Sequence, residues 1–511
     1  MNLFQAISRN NAASTAIIHG GREISYAELC SQTLSTARVI RSLGVKPGDR
    51  VALLLADSPE FIAAFIAICS MGAIAVPINM ALRAHEQRSI LNNSGARYAL
   101  VEGEVCNSVL TDASEKLHQL RDIVVVNRNG LETGAKTLST LMAEVAFSEA
   151  PEFPEPLADQ AAFILYTSGS TGEPKGAVHR QEDIFHTNNS YCAEVLKVTA
   201  SDRLFSSSRL PFAYGLGNSF TFPLLNGATT ILCSEKPAPE VASRIFSESR
   251  PTIFFGVPVV YNLLLEHHRS GQKLDCSSLR FCVSAGEALP AHLGEEWEKE
   301  FGVQVLDAIG STEMLHMFMS NHENDVRYGS SGKLLTGYEA RLLDEKGADV
   351  SHGEGNLWIK GASAAIGYWE KPEETKRTFV DGWVRTGDLY QHDADGYWYH
   401  VGRSDDCFKS SGQWVSPVEV EGVLIRHADV AQVAVVEDFG ADGLPCACAF
   451  VVCHKVEFDE ATLEKGLEDL AAASLPRFKR PKRYLFVREL PYTATGKVQR
   501  FKLRQELRNQ L

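Results

Sequence analysis

The chain has no C-x-x-C pair, no H-E-x-x-H and no clustering of its histidines with its cysteines, so the common zinc patterns are excluded. Its eleven cysteines are odd in number and scattered, which excludes a disulfide framework and reads as a reducing, cytoplasmic compartment. The first residues, MNLFQAISRN, lack a basic segment leading into an apolar one, so no secretion signal is expected. Positive charge is in deficit. With 50 Lys and Arg against 64 Asp and Glu, the formal charge of −14 argues against nucleic-acid binding, and any anionic ligand needs a local basic patch. One apolar run, FIAAFIAICSMGAIAVPI (61–78), has the length of a membrane span, but Gly72 and Pro77 interrupt it. It reads instead as a buried helix, a turn at Met71-Gly72 and a buried strand. No internal repeat and no low-complexity tract is present.

What is present suits a large soluble enzyme. At 511 residues the chain exceeds one ordinary hydrophobic core, and about two to four domains or subdomains are expected. RVALLLA (50–56), AIAVPI (73–78), DIVVV (122–126), AFILY (162–166), TTILC (229–233), TIFFG (252–256) and LRFCVSA (279–285) are short, apolar and rich in β-branched or aromatic residues. Helix-like stretches separate most of them, which predicts an α/β architecture with largely parallel sheets. Past about residue 325, shorter strands joined by Asp-Gly and Glu-Lys-Gly turns predict a small barrel-like antiparallel subdomain. Past Arg403, segments such as EVEGVLIRH, AQVAVVED and CACAFVVC predict a small α+β domain, with Cys446 and Cys448 as alternate residues of one strand. The expected division is 1–404 and 405–511, with the break at S-D-D (404–406).

The most informative stretch is YTSGSTGEPKG (166–176), which follows the strand-like AAFIL. Its glycines and hydroxyls let backbone N–H groups turn inward around an anion, and Lys175 adds a point charge. It is not a Walker A loop, because Pro174 precedes Lys175 and Gly176 follows it. Alone it reads equally well as a surface loop; the expected order of strand, loop and helix-like segment favours phosphates. H-R-D is also absent, which disfavours a kinase.

Together with DAIGSTEM (307–314), VRTGDLY (384–390), GRSDDCFKSSGQWVSPVEVE (402–421) and PYTATGKVQR (491–500), this loop resembles the signature segments of the adenylate-forming superfamily. That superfamily includes acyl-CoA synthetases, adenylation domains and luciferases. The likeness runs in order along essentially the whole chain. It implies a large N-terminal domain with two parallel-sheet subdomains and a mobile C-terminal domain. It also implies activation of a carboxylate by ATP and Mg²⁺ as acyl-AMP, followed by transfer to coenzyme A.

By the same resemblance, Thr167, Ser168, Gly169, Ser170, Thr171, Gly172 and Lys175 hold the leaving phosphates. Thr312 bonds a phosphate oxygen and Glu313 helps to hold Mg²⁺. Gly286, Glu287, Asp307, Ala308 and Ile309 line the adenine, while Asp388 and Arg403 take the ribose. Lys497 bridges the substrate carboxylate and the α-phosphate, Asp405 is the hinge, and Gly412 serves the thioester step. Arg477, Lys479, Arg480, Lys482 and Arg483 form a basic run that is either a solvated face or an attractor of anionic CoA or ATP.

RLPFAYGLGNSFTFP (209–223), FGVPVVYNLL (255–264) and GSTEMLHMF (310–318) are most similar to benzoate–CoA ligases. The resemblance makes Phe212, Ala213, Tyr214, Gly215, Val257, Ile309 and His316 the acyl pocket, with small residues leaving a slot and a hydroxyl and an imidazole as polar tips. Arg209-Leu210-Pro211-Phe212 and the segment 410–414 depart from that pattern, which leaves room for an amino or hydroxyl substituent on the ring. The expected substrate is a small aromatic acid, benzoate first. The alternatives are an enzyme loading a carrier-protein pantetheine, or a CoA ligase for cyclohexanecarboxylate or medium-chain acids. No nucleic acid and no membrane span enter this reading; a homodimer is left open.

Overall fold

The computed structural model describes all residues except 111–116, 118, 127–135, 150, 169–173, 236–237, 411–412, 441–442, 456, 493–497 and 510–511. The chain separates into two compact units, Met1–Glu339 with Ile359–Val384, and Ala340–Trp358 with Arg385–Leu511.

The first unit is built on two sheets. In one of nine strands, Thr15–His19, Thr229–Leu232, Arg203–Ser206, Ile253–Gly256, Phe281–Ser284 and Val305–Gly310 lie side by side and parallel. Antiparallel strands flank them at either end, Arg22–Ser25 at one and Met317–Ser320 followed by Lys333–Leu334 at the other. In the sheet of seven, Asp122–Val125, Tyr98–Val101, Arg50–Leu54, Ile74–Pro77 and Ala161–Ser168 are parallel. Apart from Asp122–Val125, which is an edge strand, the apolar runs of the sequence are therefore interior strands, covered on both faces.

The run 61–78 is resolved as read. Ser58 caps a helix Pro59–Ser70 by accepting from the Phe61 N–H, Pro59 stands where a helix tolerates proline, and the turn leads into Ile74–Pro77. Eleven of its twelve residues are buried, which is what an all-round apolar helix requires. It joins a core that takes Ile17 from one sheet and Leu53 and Phe163 from the other. Each such fully buried side chain contributes roughly 1.5–3 kcal/mol of transfer free energy. Among the described residues no helix is long and apolar enough to cross a membrane.

In the second unit, the strand ending at His392 runs antiparallel to Trp398–Arg403, with Asp388 opposite Arg403. A separate sheet of Val430–Phe439, Pro445–Cys453 and Pro481–Phe486 carries helices on both faces. Val435, Ala447 and Ala449 pack with Leu463 and Leu467 on one side; Ala434, Cys448 and Phe450 pack with Leu503 and Leu507 on the other. Cys446 and Cys448 do alternate on one strand, and all eleven cysteines are free thiols.

The basic run is spent differently from either expectation. Lys479 pairs with Glu419, Arg480 donates to the carbonyls of Leu475 and Ala472, and Arg483 pairs with Asp438 at 2.8 Å. Three of its five cations therefore fasten the unit's own fold.

Candidate active site

The glycine-rich motif is a β-hairpin, not a loop leading into a helix. Ala161–Ser168 pairs antiparallel with Pro174–Arg180, setting Thr167 opposite Lys175 and Tyr166 opposite Gly176; the helix Gln181–Thr187 begins only afterwards. The second arm runs as a strand because Ala177, Val178 and His179 bury against its neighbours. It also needs Gly176, since a Cβ there would stand 2.6 Å from Ile164 Cγ2. Gly169, Ser170, Thr171 and Gly172 and the side chain of Ser168 lie outside the described residues.

The second arm fixes the segment after Val305–Gly310. His179 is fully buried, with Nδ1 2.9 Å from Asp183 and Nε2 2.8 Å from the carbonyl of Thr312. Both partners, a carboxylate and a carbonyl, are acceptors. Glu313 is held twice more. Its carbonyl accepts from the Ala365 N–H at 2.8 Å, and its Oε1 accepts from the Tyr368 hydroxyl at 2.6 Å. Tyr368 pairs across the strand with Ala177, and the Lys175 ammonium lies 5.5 Å from its ring centroid. Lys175, Thr312 and Glu313 are thus brought together through His179 and Tyr368, neither of which the motifs single out.

The strand Val305–Gly310 presents Asp307, Ala308 and Ile309 beside Phe281–Ser284, with Ser284 opposite Asp307. Asp307 is buried, accepts from the Leu289 N–H, and burial pushes its carboxyl well up. Gly286 takes φ +90°, and a Cβ on it would be 3.7 Å from Val257 Cγ1, so these two face one another. Glu287 beside it is exposed.

The aromatic set gathers around His316. Its ring centroid lies 4.6 Å from Phe222, 5.2 Å from Tyr191 and 5.9 Å from Tyr214. Neither ring nitrogen has a hydrogen-bond partner, and burial brings its pKa down to about 3, which the Tyr214 backbone offsets only in part. The ring is therefore neutral near pH 7. The Tyr214 hydroxyl is not a free polar tip: it faces the carbonyls of Gly256 and Val283, each at 3.2 Å. Phe212 and Ala213 precede it at the start of the short helix Ala213–Leu216. Gly215 is forced, because a Cβ would stand 2.1 Å from the Arg209 carbonyl. Tyr191 and Phe222 were not foreseen. Tyr191 lies in the π-helix Asn188–Leu196, and a second π-helix, Gly217–Thr221, ends at Phe222. Such wide turns recur at functional sites but leave no short sequence signal.

In the second unit Asp388 is the centre of a separate cluster. Arg403 lies 3.0 Å from its Oδ1 and also donates to the Thr386 carbonyl, and His400 stands at 3.5 Å. Burial alone would raise the carboxyl, yet Arg403 and then His400 outweigh it and hold the group at about 2. Gly387 takes φ +77°, and a side chain there would meet Arg403 at 2.8 Å. Asp405 is exposed on the following turn, where Ser404 donates to the Gly387 carbonyl. Gly412 and Lys497 lie outside the described residues. Close to Lys497 the chain is tied by a Tyr492–Val498 bridge and by Arg500, which reaches both oxygens of Glu421 at 2.8 Å.

Comparison with known proteins agrees along the whole chain. A family model described as AMP-binding enzyme matches residues 4–369, and one described as AMP-binding enzyme C-terminal domain matches 419–497. The benzoate–CoA ligase of Thauera aromatica is 40% identical over 493 residues, 96% of this chain and 92% of that protein. The anthranilate CoA ligase AuaEII, solved in complex with anthranoyl-AMP, is similar with a TM-score of 0.92 and 36% identity, over 100% of this chain and 98% of that one. A benzoate CoA ligase from Burkholderia xenovorans LB400 gives 0.87 and 36%, over 99% and 100%.

Proposed function

The chain belongs to the AMP-binding enzyme family, and on that footing we propose that it is an AMP-forming aryl-acid–CoA ligase. A carboxylate oxygen of an aromatic acid attacks the α-phosphorus of ATP, the bond to pyrophosphate breaks, and acyl-AMP forms. The sulfur of CoA then attacks the acyl carbon, its proton passes to solvent, and AMP leaves with the electrons of the broken C–O bond. The observation that carries this reading is the end-to-end likeness to a benzoate–CoA ligase, reinforced by likeness to an anthranilate ligase holding its acyl-AMP.

The residues take the following roles in this proposal. Thr167, Lys175 and Thr312 neutralise and orient phosphate oxygens, and His179 keeps the Thr312 backbone in place. Asp388, ionised at any working pH, accepts from ribose hydroxyls while Arg403 steadies it. Lys497 offsets the repulsion between the two anions that must meet in the first step. The ring cluster around neutral His316 packs a flat aromatic acid, and its unpartnered nitrogens suit a hydroxyl or amino substituent. Among the described residues no three His, Cys, Asp or Glu side chains gather as a metal cage. Mg²⁺ in this reading is a hard ion that phosphates and a single carboxylate can hold together, with Glu313 proposed as that carboxylate. When bound, Mg²⁺ spreads the negative charge of the phosphates. A cytoplasmic location belongs to the same reading and is supported by the free thiols. A homodimer is left open, and sedimentation would decide it.

The test is ATP–pyrophosphate exchange over benzoate, aminobenzoates, hydroxybenzoates, cyclohexanecarboxylate and medium-chain acids. Fastest exchange with one of the aromatic acids is expected. Fastest exchange with cyclohexanecarboxylate or a medium-chain acid would contradict the aryl reading.

A further inference from the structure

The segment 209–215 is held at its root by a buried ion pair that none of the motifs contains. Asp57 immediately precedes Ser58, the cap of the buried helix Pro59–Ser70, so its backbone is fixed by one of the most rigid elements of the first unit. Its Oδ1 accepts from the Leu210 N–H at 3.1 Å, across 153 residues of chain, and its Oδ2 faces Arg209 at 3.5 Å. Arg209 also donates to the carbonyls of Cys233 and Glu235, past the end of the strand Thr229–Leu232. On the remaining side Arg209 borders a cavity of about 60 Å³ shared with Phe205, Phe254 and Leu264. Packing does not locate the guanidinium there; its hydrogen bonds do. The carbonyl of Arg209 in turn accepts from the Phe212 N–H and lies where a Cβ on Gly215 would fall. Any shift of Arg209 is therefore passed along the segment to Ala213 and Tyr214.

We propose that Asp57 and Arg209 are positioning residues for the acyl pocket: their ion pair sets where the segment 209–215 stands and so how tightly the aromatic acid is bound. This rests on reading that segment as a wall of the acyl pocket. Arginine is the fitting cation, because its planar fork can serve two carbonyls and a carboxylate at once, where lysine offers a point charge. Burial pushes the Asp57 carboxyl up to about 6, and Arg209, the charged group that faces it, offsets only part of that. A folded-state pKa above the unfolded value means that the contribution to stability is present below the unfolded pKa and lost as pH rises through about 6. At pH 7 the ionised carboxylate therefore opposes folding, and retention of a buried charge at such a cost points to a role in placement.

Two variants test this, Asp57→Asn and Arg209→Lys. The amide of Asp57→Asn still accepts from Leu210 N–H but removes the charge. Using whichever acid the wild type activates fastest, KM for the acid should rise about tenfold in both variants, the scale of a modest misplacement. KM for ATP should stay within about twofold. An unchanged KM for the acid would overturn the proposal. So would a joint rise in both KM values with a lowered melting temperature, the sign of a merely structural pair. The aryl reading stands or falls separately, on whether that fastest acid is aromatic.

Discussion

Two buried aspartates, each facing an arginine, end in opposite states. In the first unit Asp57 has Arg209 at 3.5 Å, and its carboxyl is pushed up to about 6. In the second unit Asp388 has Arg403 at 3.0 Å and His400 at 3.5 Å, and its carboxyl is held at about 2. The difference lies in what else the arginine does. Arg209 divides its donors among two further carbonyls and meets Asp57 loosely, while Asp388 has a closer guanidinium and a second basic group. The lesson is that an ion pair is not one kind of object: one leaves a carboxylate near neutrality in the segment we propose it places, and the other keeps a carboxylate charged where the proposed function puts the ribose. Their linkage to stability also differs in sign. Asp388, depressed below its unfolded pKa, contributes stability that is present above that pKa and lost as pH falls towards 2. Asp57 contributes only in acid and loses its contribution as pH rises through about 6.

The sharpest way to break the contrast is Asp388→Ala, which removes the member proposed to bind the ribose. ATP–pyrophosphate exchange at fixed ATP should fall about 100-fold, the loss of roughly 2.7 kcal/mol of charged hydrogen bonding. A loss below about fivefold would remove Asp388 from the nucleotide site. A smaller effect is expected from Tyr368→Phe, which keeps the ring under Lys175 but takes the hydroxyl from Glu313. Binding of ATP with Mn²⁺ as the spin-active metal should weaken about three- to tenfold, with KM for the acid unmoved. Loss of affinity for metal-free ATP alone would point to Lys175 instead. Smaller still is the pH effect that separates the two aspartates. Between pH 8 and 5 the KM for ATP should stay flat, whereas KM for the acid should climb a few-fold as pH drops through 6 and Asp57 is protonated. Absence of that climb, or its persistence in Asp57→Asn, would detach it from Asp57. Last, His400→Gln should weaken nucleotide binding only about twofold, because the Arg403 charge is the largest single influence lowering Asp388. A tenfold loss would reverse that ranking.

How much of this was legible in the sequence depends on range. Alternating apolar runs named the strands, since period and β-branching are local properties, and even the interrupted run 61–78 resolved as helix, turn and strand. Thr312, Glu313, Asp388 and Arg403 could be picked out because each sits in a compact motif. The second arm of the hairpin was not foreseen: a loop and then a helix-like segment were expected, and only pairing with Ala161–Ser168 and Gly367–Tyr368 makes Pro174–Arg180 a strand. The partners of the motif residues were invisible for the same reason. His179 meets Thr312 across 133 residues and Tyr368 meets Glu313 across 55, and no local pattern encodes such distances. The basic run shows another limit of composition, since Lys479, Arg480 and Arg483 also bond within their own unit while Arg477 and Lys482 are exposed.

The most direct test of the whole account is product identification. The purified protein, supplied with ATP, Mg²⁺, CoA and the preferred aromatic acid, should yield aryl-CoA, AMP and pyrophosphate in equal amounts by mass spectrometry. Formation of ADP and phosphate, or acyl-AMP that accumulates without passing to CoA, would contradict it.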